Sequence, residues 1–182
     1  MAAAEATKST NPTPAARPTS AQSAGEGIPE KLGAGLLLCC QGKVLLLKRC
    51  SRHNDQTWGL PGGNAEPADQ GLLSTALREA QEELGEVPAH EHRAQILTKR
   101  GKRNQKHYTV FLADVAPSTA QQYAPRLNAE HSEWRWVPWN DVTAANSGAA
   151  DGLTLHPVVC RLAQQHAAEV QGVLHAGQQP EG

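Results

Sequence analysis

The stretch Gly62-Gly63-Asn64-Ala65-Glu66-Pro67-Ala68-Asp69-Gln70-Gly71, continuing through Leu72 to Gly85, decides the reading of this chain. Adjacent glycines predict a tight turn. Beyond them Leu73, Leu77, Ala80 and Leu84 recur at helical spacing. They predict one apolar stripe on an amphipathic helix over about 70–84, with Asp69 as its N-cap and Gly85 at its end. Glu79, Glu82 and Glu83 fall at i, i+3 and i+4, so their carboxylates share another side of that helix. Like charges this close repel by roughly a few tenths of a kcal/mol per pair. A divalent cation reverses the sign, and hard cations such as Mg²⁺ take carboxylate, phosphate and water oxygens. A solvated acidic face is the simpler account of a glutamate cluster. Here the cluster follows a glycine turn and includes Arg78, one residue before Glu79 and four before Glu82, where it can pair. Tight turn, helix and acids in that order form an arrangement that holds metal against a polyphosphate.

The stretch resembles the Nudix box, G-x5-E-x7-R-E-U-x-E-E-x-G-U with U apolar. Gly63, Arg78, Glu79, Ala80, Glu82, Glu83 and Gly85 match it. Asp69 stands in place of the upstream Glu, with eight residues rather than seven between it and Arg78. Glu86 occupies the last apolar position, and Val87 follows to take over the packing. The longer spacer is similar to the coenzyme A pyrophosphatase branch. The lead-in Thr57-Trp58-Gly59-Leu60-Pro61-Gly62-Gly63 looks more like the MutT-type nucleoside triphosphate branch.

Composition sets the outer bounds. A length of 182 residues, 39% hydrophobic, supports one modest core. No apolar run approaches the roughly 20 residues of a membrane span. A net charge of -1 favours neither nucleic acid nor acidic partners in bulk. Cys39, Cys40, Cys50 and Cys160 form no C-x-x-C pair and read as free thiols of a reducing compartment. Residues 1–30 are rich in Ala, Ser, Thr and Pro and predict a disordered tail. Lys8 and Arg17 with few acids give the tail a second reading, a mitochondrial or chloroplast transit peptide; without one the protein is cytoplasmic. The domain spans 31–176, and 177–182 form a disordered C-terminal tail.

Gly33 to Cys40 and Val44 to Arg49 read as strands joined by a hairpin turn, their leucine runs buried on both faces. Arg49 leaves the second strand toward the glycine turn, as a surface charge or a phosphate contact. Trp58 and Tyr108 offer rings for a nucleobase, or for the core. Gln95 to Thr98 and His107 to Val115 form strands around a basic turn carrying Lys99, Arg100, Lys102, Arg103 and Lys106. That turn is a solvated tip or an electrostatic lure for polyphosphate or RNA, though no aromatic interleaves with it. Residues 116–128 read as a long polar loop. Trp134 and Trp136 alternate on a strand with one packed face. Pro157 opens a last helix with Val159, Leu162, Ala163, Val170 and Val173 buried.

The resemblance implies the Nudix fold, an α/β mixed sheet sandwiched between helices, and the strand-helix-strand-strand-strand-helix order agrees with a layered α/β domain. It implies hydrolysis of the pyrophosphate linkage in a nucleoside diphosphate joined to another group, with Mg²⁺ or Mn²⁺; a MutT-type nucleotide pyrophosphatase is the favoured reading, with ADP-ribose, dinucleoside polyphosphates and coenzyme A left open. Glu79, Glu82 and Glu83 would hold metal with a backbone carbonyl near Gly62, and Arg78 would orient Glu79 or its neighbours. The Glu-His-x-Glu stretch before the Trp-Val strand is similar to a family feature that brings another acid to the metal, which marks Glu130 and Glu133. Glu79, Glu130 and Glu133 all qualify as the base. Arg49, Trp58, Gly62 and Gly63 are the candidate substrate contacts. The expected partner is a small nucleotide derivative, with no membrane; nucleic acid is a less favoured partner and a homodimer is left open. The alternative is a non-catalytic nucleotide or RNA sensor.

Overall fold

The computed structural model describes residues 30–100, 102–148 and 152–176. Both tail expectations, over 1–30 and 177–182, fall outside the described residues except for Glu30. The strands β1 (Lys31–Cys40) and β2 (Lys43–Arg49) meet as an antiparallel hairpin with Cys40 opposite Lys43. Gln41 and Gly42 both have positive φ, 47° and 77°, the backbone a two-residue hairpin turn requires. Two short strands follow, β3 (Trp58–Gly59) and β4 (Gly62–Asn64), the latter paired with β1 from Gly33 to Gly35. Then come α1 (Leu72–Leu84), β5 (Glu91–Arg100), β6 (Lys106–Asp114), α2 (Pro117–Gln122), β7 (His131–Pro138), α3 (Trp139–Asn146), α4 (Pro157–Gln165) and α5 (Ala167–Ala176).

The sheet has seven strands in the order β3-β2-β1-β6-β5, with β4 on β1 and β7 on β2. β1 and β6 run parallel and the remaining pairs antiparallel, so the sheet is mixed. Each leucine run feeds both faces. Leu37 and Leu46 enter one core with Trp139, Val159 and Leu162; Leu36, Leu38, Leu45 and Leu47 enter the other with Ala76, Ala80 and Leu84 of α1. The result is the expected α/β sandwich: α1 covers one face, and α3, α4 and α5 the other. No helix among the described residues is long and apolar enough to cross a membrane. All four cysteines are free.

Several expectations need correction. The helix begins at Leu72 rather than Gln70, and its N-cap is Gly71, so Asp69 is not the cap. Its buried stripe runs through Thr75, Ala76, Ala80 and Leu84, whereas Leu73 is exposed. The polar loop over 116–128 contains α2, and α3 follows β7 directly. The last helix is two, α4 and α5, parted at His166 with φ -132°.

Candidate active site

The glycine turn and the acidic helix meet because β1 holds β4 against α1. The backbone N–H of Gly62 donates to Oε2 of Glu83 at 3.0 Å. A methyl group at Gly63 would lie 2.5 Å from the Glu79 carboxylate, so only glycine lets that side chain lie across the strand. Gly62 has φ +154°, and a Cβ there would meet the Tyr108 hydroxyl at 2.3 Å and the Ala34 carbonyl at 2.5 Å. Thus Glu83 is 5% exposed, and burial, with Glu79 nearby, pushes its carboxyl up to about 8. Burial also raises Glu79. Glu82 is exposed.

Arg78 organises the acids. Its Nη1 donates to Glu79 Oε1 at 3.0 Å and to Glu82 Oε1 at 3.3 Å, and its Nη2 to the Asn64 carbonyl at 3.0 Å. Its Nε and Nη2 donate to the two oxygens of Asp69 at 3.0 and 3.2 Å, a bidentate pair. Asp69 also accepts from the Thr75 hydroxyl at 2.8 Å and the Glu66 N–H at 2.9 Å. The Arg78 guanidinium foremost holds Asp69 well below the usual carboxylate range. Asp69 therefore anchors the arginine that orients Glu79.

The remaining candidates divide. Arg49 Nη2 donates to Glu130 Oε2 at 2.9 Å and to the Ser51 hydroxyl at 2.9 Å. The Arg49 guanidinium favours, and the Glu130 carboxylate opposes, a negative charge on Glu83. Glu133 takes Lys48 Nζ at 2.8 Å and Arg135 Nη2 at 2.9 Å, and these two cations lower its proton affinity. Trp58 belongs to the core at 3% exposure, with the Arg135 guanidinium 4.7 Å from its ring centroid, so it does not present a free face for a base. Tyr108 is likewise buried, its hydroxyl beneath Gly62. The Gly62 group that meets Glu83 is the N–H, not the carbonyl.

Two histidines escaped the sequence reading. His131 is buried, bonded through Nδ1 to Asn128 Oδ1 at 3.1 Å, and burial aided by Arg49 brings it down to about 4. His156 sits beside Gly59, and burial, with Arg49 and Arg100, brings it down to about 4. Its position before Pro157 was a readable sign, because a side chain there can cap the helix; Nδ1 accepts from the Val158 N–H at 3.3 Å.

A model of the NUDIX domain matches residues 29–156. The chain belongs to the NUDIX domain family. It is 42% identical over 77 residues to the mouse (Mus musculus) mitochondrial coenzyme A diphosphatase NUDT8, covering 42% of this chain and 36% of that protein. It is 46% identical over 56 residues to the uncharacterized Nudix hydrolase NudL of Yersinia pestis (strain Pestoides F), covering 29% of this chain and 28% of that protein. The matched stretches thus span well under half the length of either relative. Among solved structures, the M. smegmatis Nudix hydrolase RenU superposes with a TM-score of 0.59 at 26% identity, over 82% of this chain and 89% of that one. A C. elegans Ap4A hydrolase shares the fold, with a TM-score of 0.55 at 20% identity over 77% and 98% of the two chains.

As placed, the three acids of the Nudix helix are not gathered into one cluster. Among the described residues no group of three His, Cys, Asp or Glu side chains stands ready to hold an ion. The cause is local: Arg78 draws Glu79 and Glu82, and Gly62 draws Glu83. The donor chemistry still suits a hard cation. Glu79 and Glu83 lie one helical turn apart, both disfavoured as bare anions by burial, and no side-chain cation pairs with Glu83 among the described residues.

Proposed function

We propose that this chain is a pyrophosphohydrolase that cleaves the P–O–P linkage of a nucleoside diphosphate joined to another group. One observation carries the reading: a buried, cation-seeking Glu83 held on the Gly62 N–H, one turn from an Arg78-oriented Glu79, in a NUDIX domain. Glu79, Glu82 and Glu83 would hold Mg²⁺ or Mn²⁺, which would neutralise phosphate charge and acidify the attacking water. Arg78, clamped by Asp69, keeps the Glu79 carboxylate turned across Gly63. In the reaction a water oxygen bonds to phosphorus, the anhydride P–O bond breaks, the water proton passes to a carboxylate, and the second phosphate leaves. Glu79 and Glu130 fit the base better than Glu133, because Lys48 and Arg135 hold the Glu133 carboxylate as a weak base. Arg49, which pairs with Glu130, would offer its guanidinium to a substrate phosphate in competition with that carboxylate.

Coenzyme A heads the substrate candidates, supported by the mouse relative, whose name is that of a coenzyme A diphosphatase, and by the longer box spacer. The test is phosphate-ester product release with Mg²⁺ or Mn²⁺ over coenzyme A, ADP-ribose, dinucleoside polyphosphates and nucleoside triphosphates. Turnover of one class that disappears in EDTA supports the reading. Binding without product for every compound would instead identify a sensor. A mitochondrial or plastid address rests on the 1–30 tail and on the mitochondrial mouse relative. Imaging of a tagged full chain beside one lacking 1–30 tests it; identical cytoplasmic distributions would refute import.

A further inference from the structure

The chain that follows α2 returns along the C-terminal end of the acid helix. Carbonyls in the last turn of a helix have no partner within it, and here the returning chain supplies one to each of two. The Arg126 N–H donates to the Leu84 carbonyl at 2.8 Å and the Asn128 N–H to the Glu83 carbonyl at 3.3 Å. Just beyond the helix, the Tyr123 hydroxyl donates to the Glu86 carbonyl at 2.6 Å. From the Glu83 carbonyl the chain therefore reaches Glu130 within two residues of Asn128. The Glu130 carbonyl in turn accepts from the Cys50 N–H at 2.8 Å, at the end of β2.

Asn128 turns the chain at this point. Its Oδ1 accepts from the Glu130 N–H at 3.0 Å, which closes an Asx turn. The same Oδ1 lies 3.1 Å from Nδ1 of His131, and the Asn128 carbonyl accepts from the His131 N–H at 3.3 Å. A backbone N–H only donates, so the amide atom that meets Glu130 is the oxygen. That oxygen has no hydrogen to give to an imidazole, so His131 carries a hydrogen on Nδ1. One residue thus fastens the end of α1, the backbone of Glu130 and a buried ring. Arg49 holds the carboxylate end of the same glutamate at 2.9 Å.

We propose that Asn128 is a positioning residue for the hydrolysis: it ties Glu130 to the Glu83 carbonyl and so fixes that glutamate against the acid helix for its part in the reaction. The inference rests on the hydrolase reading. Asn128 acts through Glu130 and touches neither substrate nor metal. Closing the turn takes a side-chain acceptor on a short stem. Asp keeps that acceptor, Gln sets it one methylene too far out, and Ala removes it.

Steady-state kinetics with Mg²⁺ on the full chain test the role. Asn128→Ala should lower kcat about 10- to 100-fold with KM within about twofold. Asn128→Asp should recover kcat to within about threefold of wild type. In a Glu130→Gln background, Asn128→Ala should change kcat by less than about twofold, since the residue it places is already disabled. A merely structural role would cut both backgrounds alike. Thermal melting checks that Asn128→Ala folds; should it not, Asn128→Gln takes its place with the same expected loss. Nitrogen-15 NMR in EDTA reads the clamp apart from turnover: the His131 hydrogen should sit on Nδ1 in wild type and move to Nε2 in Asn128→Ala. Equal losses in the two backgrounds, full kcat in Asn128→Ala or in Glu130→Gln, or Nδ1 without hydrogen in wild type overturn the inference and leave the hydrolase reading standing. A wild type that turns over no pyrophosphate sinks that reading itself, and the positioning role with it.

Discussion

Glu83 is a carboxylate that its surroundings penalise as an anion, and pH exposes that penalty. Its carboxyl titrates near 8 in the folded protein against 4.5 ordinarily. The folded state therefore binds more protons than the unfolded state between those values, and stability falls as pH rises from about 4.5 to about 8. Thermal or urea unfolding in EDTA across that range should show a loss on the order of a few kcal/mol for wild type and a flatter profile for Glu83→Gln. A wild-type profile as flat as that of the variant would refute the buried charge. Under the hydrolase reading the same substitution keeps the fold and lowers turnover about 100-fold or more, as loss of a metal-holding carboxylate should. Asp69→Ala, which frees Arg78, should cost about 10- to 100-fold in kcat with little change in melting, measured by steady-state kinetics. The i, i+3, i+4 spacing of the glutamates was legible because the helical period alone sets it. The hydrogen bond from Gly62 to Glu83 was not, because it depends on β1 carrying β4 to the helix. Asp69 looked like a cap for the same reason: the bidentate arginine nine residues on that claims it appears only when the helix is in place.

At the scale of elements, the two glycines of β4 serve different ends. Gly62→Ala forces a side chain into positive φ and into Tyr108, Ala34 and Gly35, backbone and buried ring together. It should cost about 2–4 kcal/mol in chemical denaturation. The nearest atoms Gly63→Ala meets are the end of the flexible Glu79 side chain, so it should fold with a loss of about 1 kcal/mol or less and lose most turnover. Equal stability losses for the two would refute this division. The leucine runs of β1 and β2 were readable as strands buried on both faces, since unbroken apolarity admits little else. The helices α2 and α3 were not. Neither has a side-chain cap, and α2 has no buried residue, so tertiary placement rather than local sequence sets them. The split between α4 and α5 at His166 was likewise hidden, because Val170 and Leu174 keep an apolar stripe running past the break.

For the molecule as a whole, the glycine turn of β4 is set against the acid helix by the order of strands in one sheet, and the NUDIX family match runs over residues 29–156. A metal that binds only the folded chain must raise its stability, by about 2.7 kcal/mol at a hundredfold excess over Kd. Because Glu83 must lose its proton first, the melting shift on adding Mg²⁺ should be larger at pH 8.5 than at pH 6, by scanning calorimetry. A shift independent of pH would exclude Glu83 as a ligand. One last feature concerns the rim of the sheet. β3 is two residues long, and its outward amides are closed by the Trp58 N–H bonding the Thr154 carbonyl at 2.8 Å and the His156 N–H bonding the Trp58 carbonyl at 2.9 Å. Cutting the chain after residue 152 would strip that seam and leave a bare row of donors and acceptors, a template on which a neighbouring molecule zips. The C-terminal segment is thus a bolt against self-association as well as a wall of the core.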